Sequence, residues 1–299
     1  MVDDLKLFFK TKVLVFVVAS EVAGYGLGFQ FEQEFSWLHF FVFLIGSTIL
    51  SAGSLALNEV QEVDNDSKME RTKQRPLVTG AMSKNFGLAL SLSFILLGFI
   101  ILWFLNPLTF WLGFWTVVTY NGLYTMFCKK KWAFAAVPGA IPGALPATMG
   151  YSAVNDNIYS SESIYLFLIL FVWQMPHFWS VAIRYANDYR SGSFPVLPVQ
   201  LGTARTKYHI SFYVWCYCLL GIMSPLFVSF SYAYFFLVLP FSIFVVWQFF
   251  VFFYNESKKH WLRFFLTANF SLLAFMFSPI IDKWIPMLFK VNRIFAGFL

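Results

Sequence analysis

Asn58, Glu62 and Asp66 recur at every fourth position of the stretch NEVQEVDNDSKMERTKQRPL, which runs from Asn58 to Leu77. On a helix each step of four residues turns about 40° past a full turn and rises about 6 Å, so the three share one stripe. One amide and two carboxylates in line present only oxygen atoms, the ligands of a hard divalent cation. Mg²⁺ is the cation that commonly pairs one or two carboxylates with substrate phosphates. Lys68, Arg71, Lys73 and Arg75 follow at once, before Pro76 ends any helix. Acids followed by bases make a phosphate trap: the carboxylates reach a phosphate through the metal, and the guanidinium and ammonium groups grip its oxygens directly. The plainer account has the bases enforcing topology and the acids solvating a loop. The regular spacing and the adjoining TKQRP run weigh against it.

A second polar stretch, WQMPHFWSVAIRYANDYRSGSFPVLPVQLG, carries His177, Arg184 and Asp188. Pro176 frees a backbone carbonyl beside His177, which a membrane tolerates where protein or a water-filled cavity compensates. A lone His among aromatics is otherwise a structural residue, and His39, His209 and His260 are read that way. A third stretch, YNGLYTMFCKKKWAF, brings Tyr120, Asn121, Tyr124 and Lys129 together. Tyr124 and Lys129 are candidates for substrate binding, against plainer roles as an interfacial anchor and a topology charge. Glu21 is an acid inside an apolar run, an expensive placement that points to function, although a protonated structural Glu fits as well.

The elements that position these residues follow from composition. The chain has 299 residues, of which 59% are hydrophobic and 12% charged, with a mean hydropathy of +0.66, far from soluble averages. Runs long enough to cross a hydrocarbon core of about 30 Å fall at residues 13–29, 37–57, 86–105, 108–127, 134–151, 164–183, 210–230, 233–253 and 264–281, leaving a short mixed tail from Trp284. No period-two alternation occurs, so the expectation is an all-α integral membrane protein, one domain of nine transmembrane helices.

Basic residues orient it. Taking the spans as alternating, one side holds Lys6, Lys10 and Lys12, the run from Lys68 to Lys84, Lys129 to Lys131, Arg184 to Lys207, and Lys258 to Arg263, while the opposite loops before the tail hold none. That asymmetry places the N-terminus in the cytoplasm, and it accounts for most of the net charge of +6 without nucleic-acid binding. All the candidate polar groups then emerge on that same side. The first span lacks the A-x-A site of a signal peptide and reads as a helix. Cys128, Cys216 and Cys218 show no metal-ligand spacing and read as packing residues.

The two polar loops, together with VPGAIPGALPATMGY, resemble the UbiA-type intramembrane prenyltransferase superfamily over roughly Lys10 to Phe277. MPHFWSVAI with DY and FPVLPV resembles its protohaem IX farnesyltransferase branch. The resemblance implies nine helices around a central cavity in the bacterial inner membrane, with the active-site mouth cytoplasmic. It further implies transfer of farnesyl from farnesyl diphosphate to a vinyl group of haem b, giving haem O. Mg²⁺ would sit on Asn58, Glu62, Asp66 and Asp188, His177 would approach the haem iron, and Arg184 would meet a propionate.

The chain departs from the superfamily pattern in four places. Glu62 stands where the stripe usually has Asp, and Glu59 follows Asn58. His177 and Arg184 stand where quinone-type relatives carry acids, and the Thr and Asn that follow the basic turn in relatives are missing around Lys131 to Ala135. The implied partners are haem b, farnesyl diphosphate and lipid, with a haem-modifying or oxidase-assembly protein downstream. Two rival readings are a prenyltransferase acting on a quinone or chlorophyll precursor, against which the HFW segment counts, and a transporter of an anionic substrate. The second calls for paired Gly/Pro-broken helices in the two halves, and the sequence shows none.

Overall fold

The computed structural model describes residues 2–255 and 257–296, with side chains to residue 285. Among the described residues there are helices and no strands. In chain order these are α1 (Val2–Phe8), α2 (Thr11–Gly28), α3 (Trp37–Asp66), α4 (Pro76–Thr79), α5 (Lys84–Leu105) and α6 (Pro107–Val117). α6 continues as a π-helical segment (Val118–Cys128) and a short α7 (Lys129–Lys131). Then come α8 (Ala136–Ser152), α9 (Ser161–Arg184), α10 (Ala186–Ser191), α11 (Leu197–Ile222), a second π-helical turn (Tyr234–Val238), α12 (Leu239–Tyr254) and α13 (Lys258–Ala296).

Each expected span meets a helical segment. Among the described residues, six helices are long and apolar enough to cross a membrane by length and composition: α2, α3, α5, α9, Tyr234–Tyr254 and α13 as far as Ile285. Three boundaries differ from expectation. The span at 210–230 ends early, because α11 stops at Ile222 and a 3₁₀ turn with Pro225 at its second position follows; apolar composition continues there, but proline does not extend a helix. α13 runs on through the expected tail to Ala296. Pro76 begins a helix instead of ending one: α3 stops at Asp66, and Pro76 occupies the first turn of α4, where its missing N–H costs nothing.

Two close approaches set the frame. A side chain added at Gly24 would fall 1.9 Å from the Ala147 carbonyl, and one at Gly150 would fall 1.9 Å from the Glu21 carbonyl, so α2 and α8 meet backbone to backbone. That contact fixes Glu21, whose carboxylate accepts hydrogen bonds from Ser47 (2.9 Å) and Ser51 (3.0 Å) on α3. The partner that the sequence does not reveal is thus a pair of serines. α11 bends at Gly202, where φ is 79°.

The two ends of the bundle are built differently. At one end a single turn of α13 fastens three elements. Asp282 accepts from the amides of Ser231, Ala233 and Tyr234 at the start of the helical run that leads into α12. Lys283 and Trp284 donate to the last carbonyls of α2, Leu27 and Gly26. At the other end, called here the polar end, residues 11–19 of α2 include no buried residue, whereas Ser20 to Gly28 is mostly buried.

Candidate active site

The predicted stripe closes the polar end of α3, with Asn58, Glu62 and Asp66 each 2% exposed or less. A second helix runs beside it in parallel and meets it rung by rung. Ser54 donates to Asn121 (2.6 Å), Asn58 donates to Thr125 (3.0 Å), and Lys129 donates to both carboxylate oxygens of Glu62 at 2.7 Å. Every rung joins residues 67 positions apart, and the neutral ones fall on the π-helical segment, a form that clusters at functional sites. Asn121 also donates to Gln61 (3.2 Å). The ladder grows more polar toward the mouth, from hydroxyl–amide to amide–hydroxyl to ion pair.

Three cations hold the stripe's oxygens. Lys10 donates to the Asn58 side-chain oxygen, Lys129 to Glu62, and Arg75 to Asp66. Lys10 sits between α1 and α2 in a left-handed conformation (φ 48°), which turns its side chain inward over the mouth. Burial, reinforced by Arg75 and Lys129 nearby and opposed by Glu62 and Asp66, pushes its ammonium down to about 7. Glu59 is fully buried beside the stripe. Neither of its oxygens meets hydrogen-bond geometry, the Leu77 amide lies near, and Arg75 Nε is 4.0 Å away. Among the described residues no three His, Cys, Asp or Glu side chains converge to metal-binding distance; the oxygens of the stripe face cations instead.

The second polar stretch reaches the first through its backbone. Asp188 Oδ2 accepts from the Arg71 amide at 3.1 Å, and Asn65 donates to the Gly192 carbonyl at 2.8 Å. Asp188 thus reaches the polar end by holding the loop that follows the stripe. The Arg71 guanidinium lies over Tyr185 (5.5 Å) and Tyr189 (5.7 Å). Of the other predicted bases, Lys68 is exposed and Lys73 pairs with Glu70 at the surface, so within the run Arg75 alone reaches the buried acids.

His177 and Arg184 do not face this mouth. His177 lies 4.5 Å from Trp173 and 5.0 Å from Phe265, and Arg184 lies 5.9 Å from the ring of Trp261, all on the side of α9 that meets α13. The two polar stretches therefore meet through Asp188, Gly192, Tyr185 and Tyr189, while His177 lies toward α13. Tyr124 is 7% exposed and packs on Gly139, where an added side chain would fall 2.5 Å from its ring; burial rules out the interfacial anchor. It lines a crevice with Lys129, Phe178, Trp179, Ala182 and Tyr189. Lys10, Asn121 and Thr125 were missed as site residues. Asn121 stood in a quoted motif, and Lys10 was counted only as a topology charge.

Known proteins resemble the chain along most of its length. A family model described as the UbiA prenyltransferase family matches residues 17–276. A protoheme IX farnesyltransferase of Bdellovibrio bacteriovorus is 45% identical over 275 residues, 92% of this chain and 94% of that one. One of Bacillus mycoides is 36% identical over 189 residues, 63% of this chain and 60% of that one. In fold, the chain is similar to a UbiA homologue from Aeropyrum pernix K1, with a TM-score of 0.73 and 16% identity over 92% of this chain and 98% of that one. It is also similar to a UbiA homologue from Archaeoglobus fulgidus bound to GPP and Mg²⁺, with a TM-score of 0.66 and 16% identity over 93% and 99%.

Proposed function

The chain belongs to the UbiA prenyltransferase family, and from that premise we propose that it transfers a farnesyl group from farnesyl diphosphate to a vinyl group of haem b, forming haem O. It is an integral membrane protein. The observation that carries the reading is the likeness, over nearly the whole chain, to a protein named for that reaction; the polar end supplies the chemistry.

In that reaction the allylic carbon–oxygen bond of the donor breaks, and its electron pair leaves with the diphosphate. The vinyl π electrons form the new carbon–carbon bond. Water adds to the carbon left electron-poor and loses a proton, giving the hydroxyethylfarnesyl group. The demand on the protein is to accept growing negative charge at the bilayer edge and to keep other water away.

Asn58, Glu62 and Asp66 fit a magnesium ion, because their side-chain donors are oxygen and they line one buried face. Magnesium bound there would neutralise charge on the diphosphate. Asp188 adds to the same site by fixing the loop, leaving its Oδ1 for the cation. Lys10, Arg75 and Lys129, each now on an acid or amide oxygen, are placed to exchange that partner for a phosphate oxygen. Lys68, Arg71 and Lys73 form an outer basic rim that draws the anion inward. Tyr124 and its crevice keep the reacting end dry. The polar end is the cytoplasmic one, since the basic residues gather there, and the bacterial relatives fit the inner membrane.

The test is incubation of membranes containing the protein with haem b and farnesyl diphosphate, then mass analysis of the extracted haem. The expected product carries one added farnesyl group and one added hydroxyl. Haem recovered unchanged while a quinone or chlorophyll precursor is prenylated overturns the acceptor assignment.

A further inference from the structure

Glu59 is a buried acid at the mouth that the proposed reaction does not use. It stands about two helical turns before Asp66, about 10 Å along α3, so the two acids share a face. One guanidinium lies between them. Arg75, at the start of α4, donates from Nη1 to Asp66 Oδ2, and its Nε lies 4.0 Å from Glu59 Oε2. A guanidinium carries its N–H groups in a flat fork, so one edge can hold a carboxylate while another holds a second anion.

The two acids are served unequally. Asp66 has its ion pair with Arg75, whereas among the described residues neither oxygen of Glu59 makes a hydrogen bond, although its side chain is fully buried. The donors beside it are the Leu77 amide and Arg75 Nε. A carboxylate buried without a hydrogen bond costs stability, so packing gives no reason to keep one here. Its neighbours on the helix, Asn58 and Glu62, each have a cation of their own in Lys10 and Lys129. Glu59 is thus an acceptor about 1 Å short of bonding to a donor that is engaged elsewhere.

We propose that Glu59 is a second seat for Arg75, a positioning residue that lets Asp66 change partners. A guanidinium and a divalent cation on one carboxylate repel each other, so Asp66 takes a cation only as Arg75 lets go. A slide of about 1 Å brings Arg75 Nε within hydrogen-bonding distance of Glu59. That pair keeps the guanidinium in the mouth and frees its Nη edge for a phosphate oxygen. An ammonium group has a single nitrogen and cannot hold both seats in this way. The exchange joins cation loading at Asp66 to the release of a diphosphate-binding edge. It rests on the stripe holding a divalent cation, and it gives the acid that follows Asn58 a task in the same site.

The experiment titrates Mn²⁺ into purified full-length protein and follows the free ion by electron paramagnetic resonance. The proteins are the wild type, Asp66→Ala, Glu59→Gln, Arg75→Met and the double variant Glu59→Gln with Arg75→Met. Glu59→Gln is expected to weaken Mn²⁺ binding about tenfold, because Arg75 then has no seat but Asp66. Its unfolding midpoint in EDTA is expected to be no lower than that of the wild type. Arg75→Met removes the competitor and is expected to bind Mn²⁺ more tightly, and in that background most of the Glu59→Gln effect disappears. Arg75→Gln and Glu59→Met stand in for any variant that does not fold. An unchanged Mn²⁺ affinity in Glu59→Gln overturns the second seat, and so does an equal loss with and without Arg75, which makes Glu59 a plain charge acting on the cation. A lowered midpoint means that Glu59 already holds a partner in the metal-free state and overturns it too. Wild-type binding that Asp66→Ala abolishes, alongside any of these results, keeps the stripe as the metal site and loses only this inference; a wild type that binds no Mn²⁺ loses both.

Discussion

Asp188 holds the backbone amide of Arg71 at 3.1 Å across 117 residues of chain, joining the stretch after α9 to the loop after α3. The contact needs only an acceptor oxygen and no charge. Asp188→Ala is therefore expected to raise KM for farnesyl diphosphate severalfold, with a smaller effect on kcat. Asp188→Asn, which keeps an acceptor, is expected to restore KM. Steady-state kinetics of the two variants check this, and equal, severe losses of kcat in both would show that the carboxylate's charge, not its hold on the loop, is what matters.

Glu62 is 2% exposed and the Lys129 side chain 19%, so the pair lies largely out of water. Removing one partner strands the other. Lys129→Met is expected to cost about 3 kcal/mol, the low end for a broken buried pair because Lys129 keeps some solvent. Adding Glu62→Gln to it should return part of that loss. Thermal unfolding midpoints in detergent measure both, and a double variant less stable than the single one would contradict the account.

Asp66 binds Arg75 and lies in the stripe proposed to hold magnesium. Asp66→Ala is expected to lower turnover by at least about 100-fold while the protein still elutes as a folded species. Chelating divalent cations from the wild type should give a loss of similar size, reversed by added Mg²⁺. Near-normal magnesium-dependent activity in the variant would remove the stripe from the metal site.

Asp282 is 7% exposed and accepts three backbone amides. Its replacement by Ala leaves those donors bare and is expected to cost about 1–3 kcal/mol, read as a lower unfolding midpoint. KM for the donor should not move, because the contact lies at the end of the bundle away from Asn58. A shifted KM with unchanged stability would count against a purely structural role.

The stripe was legible because Asn58, Glu62 and Asp66 lie on one helix, where spacing alone fixes direction. Their partners were not, because they come from other parts of the chain: Lys10 lies 48 residues before Asn58, and Lys129 lies 67 residues after Glu62. Both lysines also satisfy the positive-inside pattern, so a sufficient explanation hid a second one. Hydropathy located the spans but not the stop at Ile222, since Phe227, Val228 and Phe230 keep the composition apolar beyond Pro225. Nor does hydropathy register the π-helical segment, which is a matter of hydrogen-bond register. The placement of His177 and Arg184 against α13 was invisible for a related reason: which neighbour a helix face meets is decided by the whole bundle.

The turn of α13 at Asp282 to Trp284 gives the molecule the mechanics of a clothes-peg. It rivets α2 and α13 together at one rim, while at the opposite rim, where the jaws lie, the run from 11 to 19 in α2 includes no buried residue. A covalent staple across the riveted rim would change little, whereas the same staple between the jaws would set the width of whatever passes between them.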